Sequence, residues 1–575
     1  MHYLVKVIWL LVQFFPEWAR EPFRKSVLLS SWYTALLCKV GMHPSVNATL
    51  AEARQVTISD EPLDEDYSRN MRYQQRLIDD RLSEVSIVTP VHTVLLLVDD
   101  WDGDMCHCSL KSINQQTVLP EMIVLLCQPK QRAVVESYIT SLNWLLTDIE
   151  VVCDLAKVDM RLKKTSGFVL YQGERLHSDC FAYIATCKIQ TDFIYVDTDT
   201  QAVQNRYAPR FLPDWNPDLQ LSTGYIRTGF YFARLTHIDS LIASRDSVAN
   251  FFKQAYLQDM AIKVGHIPLV LLHHHKLTEP DEQIVDDTSK LFPLSEQPMV
   301  SMIIPTYNAK DLVEACLTSI LDKTDYRNFE ILLIDNRSDD PEAITYFESV
   351  NELPNVRVLK YPHPFNYSAI NNFAVAHAKG EVIALVNNDI EVINGNWLEK
   401  MLVHTLRPDI GCVGAKLLFA NGLVQHAGVV MGYGGGAGHA HKYFQRDAPG
   451  YMNRAIATQN FSAVTAACLL VEKKDYENVG GLNEKELTVA FNDVDFCLRI
   501  NQSGKRNLLC AEAVLFHHES ISRGHDDTYE KKKRFFAEVE YLQTTWKAYI
   551  EHDPAYNPNL TLKYENFTIN NELTH

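Results

Sequence analysis

At 575 residues the chain exceeds one ordinary domain and has length for two or three. Its 46% hydrophobic and 22% charged residues are those of a globular protein, and its formal net charge of −18 excludes a nucleic-acid partner recruited by bulk electrostatics. The 12 cysteines are scattered, with no CxxC pair and no Cys/His zinc spacing, which points to a reduced chain in the cytoplasm.

The chain opens on an apolar run, Tyr3 to Phe15, ended by Pro16. The run is too short to span a bilayer, is interrupted by Lys6 and Gln13, and is followed by no small-residue cleavage site. It reads equally as an interfacial helix, giving peripheral contact with the inner membrane, or as a core-packed helix. No other segment has the length and apolarity to cross a membrane. Residues 1–85 form a helical segment followed by polar chain, with Glu61-Pro62-Leu63-Asp64-Glu65-Asp66 as a linker.

From Thr93 the pattern alternates between strands and helices. Val94–Val98 is a strand, 108–116 a helix and Met122–Leu126 a strand; Phe193–Val196 is a further buried strand that ends in Asp197-Thr198-Asp199. The order recurs with a strand at Val300–Ile304, a helix over 311–321, and strands at Glu330–Ile334 and Val382–Val386. The fold class is α/β: two tandem Rossmann-like domains with mostly parallel sheets, over 86–277 and 299–548, a linker at 278–298 and a tail at 549–575.

Ligands bind at the carboxyl ends of parallel strands. In the second half those ends run into Pro305-Thr306-Tyr307-Asn308, Asp335-Asn336-Arg337-Ser338 and Asn387-Asn388-Asp389. One such cluster is an ordinary capped turn; three at successive strand ends mark a crevice. About a hundred residues later, Asn492-Asp493-Val494-Asp495 adds two more carboxylates and closes on Arg499. Proton abstraction needs one positioned carboxylate and metal–phosphate binding another, so the pattern suggests a nucleotide-sugar enzyme.

These residues resemble the inverting family 2 glycosyltransferases, which have the GT-A fold. The likeness runs from Val300 to about Ala548 through Pro305–Asn308, Asp335-Asn336, Asn372 with Ala378–Glu381, Asn388-Asp389, Asp493–Asp495 and His517-His518-Glu519-Ser520. Pro364–Asn372, Gln425-His426-Ala427-Gly428, Thr465–Cys468 and Ser520–Gly524 resemble a subgroup containing O-antigen and rhamnan rhamnosyltransferases.

The resemblance implies roles residue by residue. Pro305, Thr306, Tyr307, Asn308, Asp335, Asn336, Asn372, Asn388 and Asp389 would bind the donor, with Asp335 accepting the pyrimidine N3–H. Asp389 matches the last acid of the family's DxD and would hold Mg²⁺ or Mn²⁺ with His517; the family's first acid is Asn387 here. Asp493 would be the general base that an alcohol nucleophile needs at neutral pH. Asp495, Arg499 and His518 would support the site or meet the acceptor, Arg499 pairing with Asp495 one helical turn away. The implied partners are a nucleotide-sugar donor, a lipid-linked or growing bacterial surface polysaccharide and other polysaccharide-assembly enzymes. L-rhamnose from dTDP-L-rhamnose is the first expectation for the sugar, another nucleotide sugar or a sugar-binding scaffold the alternatives.

The glycine-dense stretch Gly432–His439 reads as a lid over the donor, as a phosphate cradle without the P-loop Lys-Ser/Thr order, or as a plain loop. Asp197-Thr198-Asp199 matches DxD, and Leu212–Asp218 and His266–Leu271 resemble tandem family 2 proteins. Yet the first half has Val98–Trp101 and Cys127-Gln128-Pro129 where the second has its PTYN and Asp335 turns, and Leu257-Gln258-Asp259-Met260 where a base is expected. It is expected to be an inactive copy, serving as scaffold or acceptor-binding module.

Overall fold

The computed structural model describes residues 65–84, 91–158, 162–187, 190–202, 205–244, 246–275, 287–294, 296–518, 529–570 and 573. The apolar N-terminal run, the first part of the linker (278–286) and residues 519–524 lie outside them.

In the first unit the strands are β1 (Thr93–Val98), β2 (Met122–Cys127), β3 (Asp148–Val152), β4 (Gly167–Tyr171), β5 (Arg175–Leu176), β6 (Phe193–Ala202), β7 (Asn205–Arg210), β8 (Phe230–Phe232) and β9 (Val264–His274). The second unit has β10 (Val300–Thr306), β11 (Phe329–Asp335), β12 (Val356–Lys360), β13 (Val382–Val386), β14 (Ile390–Val392), β15 (Ile410–Leu418), β16 (Val424–His426), β17 (Val429–Met431), β18 (Ala437–His439), β19 (Gln459–Phe461), β20 (Cys468–Glu472) and β21 (Arg506–His517). The two sheets run β3-β2-β1-β4-β8-β6-β9-β5 and β12-β11-β10-β13-β20-β15-β21-β14. Strand for strand they have the same order; each inserts an antiparallel strand, β8 or β20, between parallel ones and ends on another, β5 or β14. The expected pair of mostly parallel α/β domains is therefore present, as two copies of one topology.

Pleating explains why these strands read as continuous apolar runs. In β10 and β11, Val300, Met302, Ile304, Ile331 and Leu333 face a core with the helix Lys310–Lys323. Ile303, Leu332 and Ile334 face the opposite core, with the helix Tyr367–His377. Both faces are covered, so nearly every strand residue is apolar.

Two expected boundaries shift. The helix predicted at 108–116 spans Gly103–Asn114, because the Asp102 carboxylate accepts from the Asp104 and Met105 amides and caps it earlier. Glu65 and Asp66, assigned to a linker, form the first turn of the helix Glu65–Glu84, where acids meet the positive end of the helix dipole.

The two units share core. Tyr67, Phe211 and Val270 of the first pack with Phe461, Tyr556 and Phe567 in one cluster. The Leu212–Asp218 motif is the polar clamp between them. Asn216 Nδ2 donates to Asn460 O at 2.8 Å, and Asn460 Nδ2 donates to Asp218 Oδ2 at 2.8 Å. Arg407 Nη1 donates to Asp218 Oδ1 at 2.5 Å in a pair buried on both sides. The C-terminal residues fold back over the junction: Asn557 Nδ2 donates to Asp197 Oδ2, and Asn559 Nδ2 to Pro268 O.

Candidate active site

Three turns at the carboxyl ends of β10, β11 and β13 make the crevice of the second unit. Asn308 joins the first two. Its Oδ1 accepts from the Asp339 and Asp340 amides at 3.0 Å each, and its Nδ2 donates to Asp339 Oδ1 at 2.9 Å. Asp335 Oδ1 accepts from Ser338 N at 2.9 Å, and Asn336 Nδ2 donates to Tyr361 O and His363 O. Asn388 Nδ2 donates to Thr306 Oγ1 at 3.1 Å, which ties the third turn to the first. Pro305 is half-buried, and Tyr307 stands 52% exposed at the mouth with its hydroxyl on Asp339.

Left-handed backbone recurs around these turns, at Asn308 (φ 50°), Ala309 (φ 53°) and Arg337 (φ 66°). Phe491, two residues before Asp493, adopts φ 58°. An aromatic residue there costs roughly 1 kcal/mol, and such strain collects where a site is pre-organised.

The third turn carries the cation-binding candidates. Register places Ile390 opposite His517, so the histidine ring stands beside Asp389. Asp389 Oδ1 lies 3.1 Å from His517 Nε2. His517 Nδ1 is 2.6 Å from Gln425 Oε1, an acceptor, which assigns the ring proton to Nδ1. The Asn387 amide, 3.2 Å from Nε2, agrees with that tautomer. Nε2 thus presents a lone pair beside a carboxylate oxygen, and a ligating histidine donates its other N–H to a fixed acceptor in the same way. The donor set fits a divalent cation. Among the described residues no group of three or more His, Cys, Asp and Glu side chains could hold a metal ion, so remaining ligands would come from outside those side chains.

His518 turns elsewhere. Its Nε2 is 3.0 Å from Glu391 Oε2, and that hydrogen bond, assisted by Lys323, holds the Glu391 carboxyl below its usual range. Of the adjacent histidines, His517 alone faces Asp389.

Asp493 lies in the first turn of the helix Asn492–Gln502. Its Oδ2 accepts from Thr465 Oγ1 and Ala466 N, both at 3.0 Å, while Oδ1 accepts from Val494 N. Ala467 O in turn accepts from Asn387 N, and Tyr367 OH reaches both Ala466 O and Asn387 Oδ1 at 3.3 Å. The 465–467 segment therefore links the half-buried carboxylate to the cation turn. Asp495 is fully buried and accepts from Arg499 Nε and from Trp546 Nε1, each at 2.9 Å. The expected Asp495–Arg499 pair forms, and it anchors the C-terminal helices.

Two readings need correction. Asn372 does not line the crevice with a free amide. Its Nδ2 donates to Leu482 O, and its Oδ1 accepts from Tyr476 OH at 2.7 Å and Leu482 N at 2.9 Å. It brackets the turn at Gly481, so its place among the donor-binding residues is withdrawn. The glycine-dense stretch is not a hanging lid. β17 and β18 form a hairpin there, with Met431 N on Asp553 Oδ2 and Gln543 Nε2 on Gly435 O. Sequence reasoning gave no role to Gln425 or Thr465, which stood in quoted motifs, and named Asn387 only as the residue in place of the first DxD acid.

The first unit carries a counterpart in an unexpected place. β4 and β5 are separated by Gln172-Gly173-Glu174, as β13 and β14 are by Asn387-Asn388-Asp389. Arg175 pairs with His273 as Ile390 pairs with His517. Glu174 and His273 thus occupy the positions of Asp389 and His517. Asp197 and Asp199 lie in β6, the counterpart of β15, and the DxD match fails topologically. Both are buried and bonded: Asp199 to Tyr67, Arg206 and His273, Asp197 to His266, Leu212 N and Asn557. Helix Ser247–Gln258 follows β8 as Asn492–Gln502 follows β20, and its first turn holds no acid where that of Asn492–Gln502 holds Asp493 and Asp495. Leu257, where a base was expected, lies near its other end.

The strand-end turns of this mostly parallel sheet gather a carboxylate–histidine pair, linked through residues 465–467 to a helix-borne carboxylate, in an α/β domain. Residues 301–478 match the family Glycosyl transferase family 2, and the second unit is a domain of that family. The chain is 48% identical over 280 residues to "Uncharacterized protein y4gI" of Sinorhizobium fredii, covering 48% of this chain and 31% of that protein. It is 33% identical over 416 residues to "O-antigen biosynthesis protein RfbC" of Myxococcus xanthus, covering 64% of this chain and 31% of that protein. The matched region thus spans about a third of these relatives. A mannosyltransferase from Pyrobaculum calidifontis, solved with GDP-Man and Mn²⁺, aligns at TM-score 0.32 and 17% identity over 45% of this chain and 71% of its own. Among the described residues no helix is long and apolar enough to cross a membrane.

Proposed function

We propose that the chain is an inverting glycosyltransferase that moves a sugar from a nucleoside diphosphate to a lipid-linked or growing bacterial surface polysaccharide. The observation that carries this reading is the Asp389–His517 pair, 3.1 Å apart, with the far nitrogen of the ring held by Gln425. Asp389 and His517 would hold Mg²⁺ or Mn²⁺, which supplies positive charge to the leaving diphosphate. Asp335 and Thr306 hold the nucleotide end, where the carboxylate accepts from a pyrimidine N3–H. Asp493, fixed by Thr465 and Ala466, takes the proton of the acceptor hydroxyl as its oxygen attacks the anomeric carbon.

The first unit is a scaffold in this reading, since the first turn of Ser247–Gln258 has no acid to accept a proton. The family assignment of the second unit and the likeness to an O-antigen biosynthesis protein support a polysaccharide product. L-rhamnose from dTDP-L-rhamnose is the first donor to test. Incubation with a panel of UDP-, dTDP- and GDP-sugars, Mn²⁺ and a lipid-linked acceptor should release nucleoside diphosphate from one donor class. Release from none, with the protein folded, would favour a sugar-binding scaffold instead.

A further inference from the structure

The helix Tyr529–Thr545 has two unlike faces. One packs on the chain leading into Asp493. Glu538, 1% exposed, accepts from Thr488 Oγ1 at 3.0 Å, Val489 N at 2.9 Å and Ala490 N at 3.3 Å. The Phe535 ring lies 5.9 Å from that of Phe491, which starts the base-bearing helix. The other face bears Tyr529, 76% exposed, and Phe536, 67% exposed, with exposed Lys532 and Lys533 between them. Spacings of three, four and seven put these four on one stripe.

Charge says what the stripe meets. Residues 529–538 hold four cations, Lys531 to Arg534, against two acids, Glu530 and Glu538, a local balance of +2 (4 − 2), with Arg534 paired to Glu538 on the inner face. The whole chain stands at −18, so the remainder carries −20 (−18 − 2). An anionic lipid surface repels such a body everywhere except at a cationic face, which fixes the side that approaches. Exposed aromatic rings beside lysines suit the boundary between acyl chains and headgroups, the rings inserting and the ammonium groups meeting phosphates.

We propose that the Tyr529–Lys532–Lys533–Phe536 face docks the protein on an anionic phospholipid bilayer, with the Asp493 end of the crevice beside the membrane. The docking itself does not require the transferase reading; only its purpose, bringing a lipid-linked acceptor to Asp493, rests on that reading.

The test is co-sedimentation of the full-length chain with vesicles of mixed phosphatidylglycerol and phosphatidylcholine, against phosphatidylcholine alone. Wild type should bind the mixed vesicles, bind phosphatidylcholine weakly and be released by high salt. K532E/K533E and Y529A/F536A should each lower binding by on the order of tenfold or more. Their melting temperatures and their nucleoside diphosphate release with a water-soluble acceptor should match wild type. Wild-type protein that ignores mixed vesicles, or variants that bind them as well as wild type, overturns the proposal. If vesicle binding falls as expected while no protein, wild type included, turns over any donor, the transfer reading fails and the docking stands.

Discussion

Glu174 and Asp389 stand at one position in two copies of the same sheet, each the third residue past a central strand and the last before a short one. The first is 6% exposed, and burial pushes its carboxyl up to about 8. A group held largely protonated near neutral pH is a poor ligand for a hard cation. Glu174→Gln should therefore leave donor turnover within twofold of wild type. Asp197→Ala, by contrast, strips a buried carboxylate from His266 and Asn557 and should lower the melting temperature sharply. A Glu174→Gln enzyme that folds but loses one of two linkages in the product, seen by mass, would mean the first unit is active.

Asp493→Asn preserves shape and removes the proton acceptor. Transfer should fall by ~10²–10⁴-fold, while calorimetry shows donor affinity within about threefold of wild type. Transfer at near wild-type rate, under conditions where chemistry limits turnover, would take Asp493 out of the base role.

Gln425 touches the candidate cation site only through His517. Gln425→Ala frees the ring to change tautomer and tilt, and should weaken Mn²⁺-dependent binding of a nucleoside diphosphate by about 10–100-fold. Asp389→Ala should weaken it further. Calorimetry with and without Mn²⁺ separates the two parts of the affinity, and an unchanged metal-dependent part in both variants would mean the ligands lie elsewhere.

Much of the crevice was legible because parallel strands place their ligands at one end, and polar residues after long apolar runs mark that end. Thr306, Asp335, Asp389 and Asp493 became candidates in this way or through the resemblance they carry. What sequence spacing could not convey is strand order. Asp197 and Asp199 follow a buried strand, as Asp389 does, but only the sheet reveals that β6 corresponds to β15. Asn372 failed for another reason: an asparagine in a motif says nothing of which backbone its amide will satisfy, and here it is the turn at 480–482. Gln425 sits 92 residues from His517, and nothing local to either predicts the contact.

The buried Asp218–Arg407 pair predicts how firmly the units are joined. Asp218→Ala leaves a guanidinium that also pairs with Asp409 and Tyr256, but without its most buried partner. The loss should be about 3–5 kcal/mol. Asp218→Ala combined with Arg407→Met should recover part of it, since the unpaired buried charge is gone. Chemical denaturation of the three proteins checks this, and a double variant worse than the single one would refute the account.

His266 is almost fully buried, between Asp197 at 3.0 Å and Asp214 at 3.0 Å. Burial opposes its charge, but the two carboxylates outweigh burial and raise the ring to about 9. Asp214 is also penalised by burial, and hydrogen bonds from His266 and His552 bring its carboxyl down to about 2. A raised histidine stabilises the fold fully below its unfolded value near 6.5, and that contribution fades as pH climbs through about 9. A lowered carboxyl contributes above its unfolded value near 4, and that contribution fades as pH falls through about 2. The His266–Asp214 contact should thus be strongest between about pH 4 and 6.5. His266→Gln cannot carry the charge. Its melting temperature should lie furthest below wild type near pH 6, and the gap should narrow steadily toward pH 9. A gap that is constant across that range would show that His266 acts in the junction as a neutral ring, through its stacking on Tyr195 at 4.6 Å rather than through its proton.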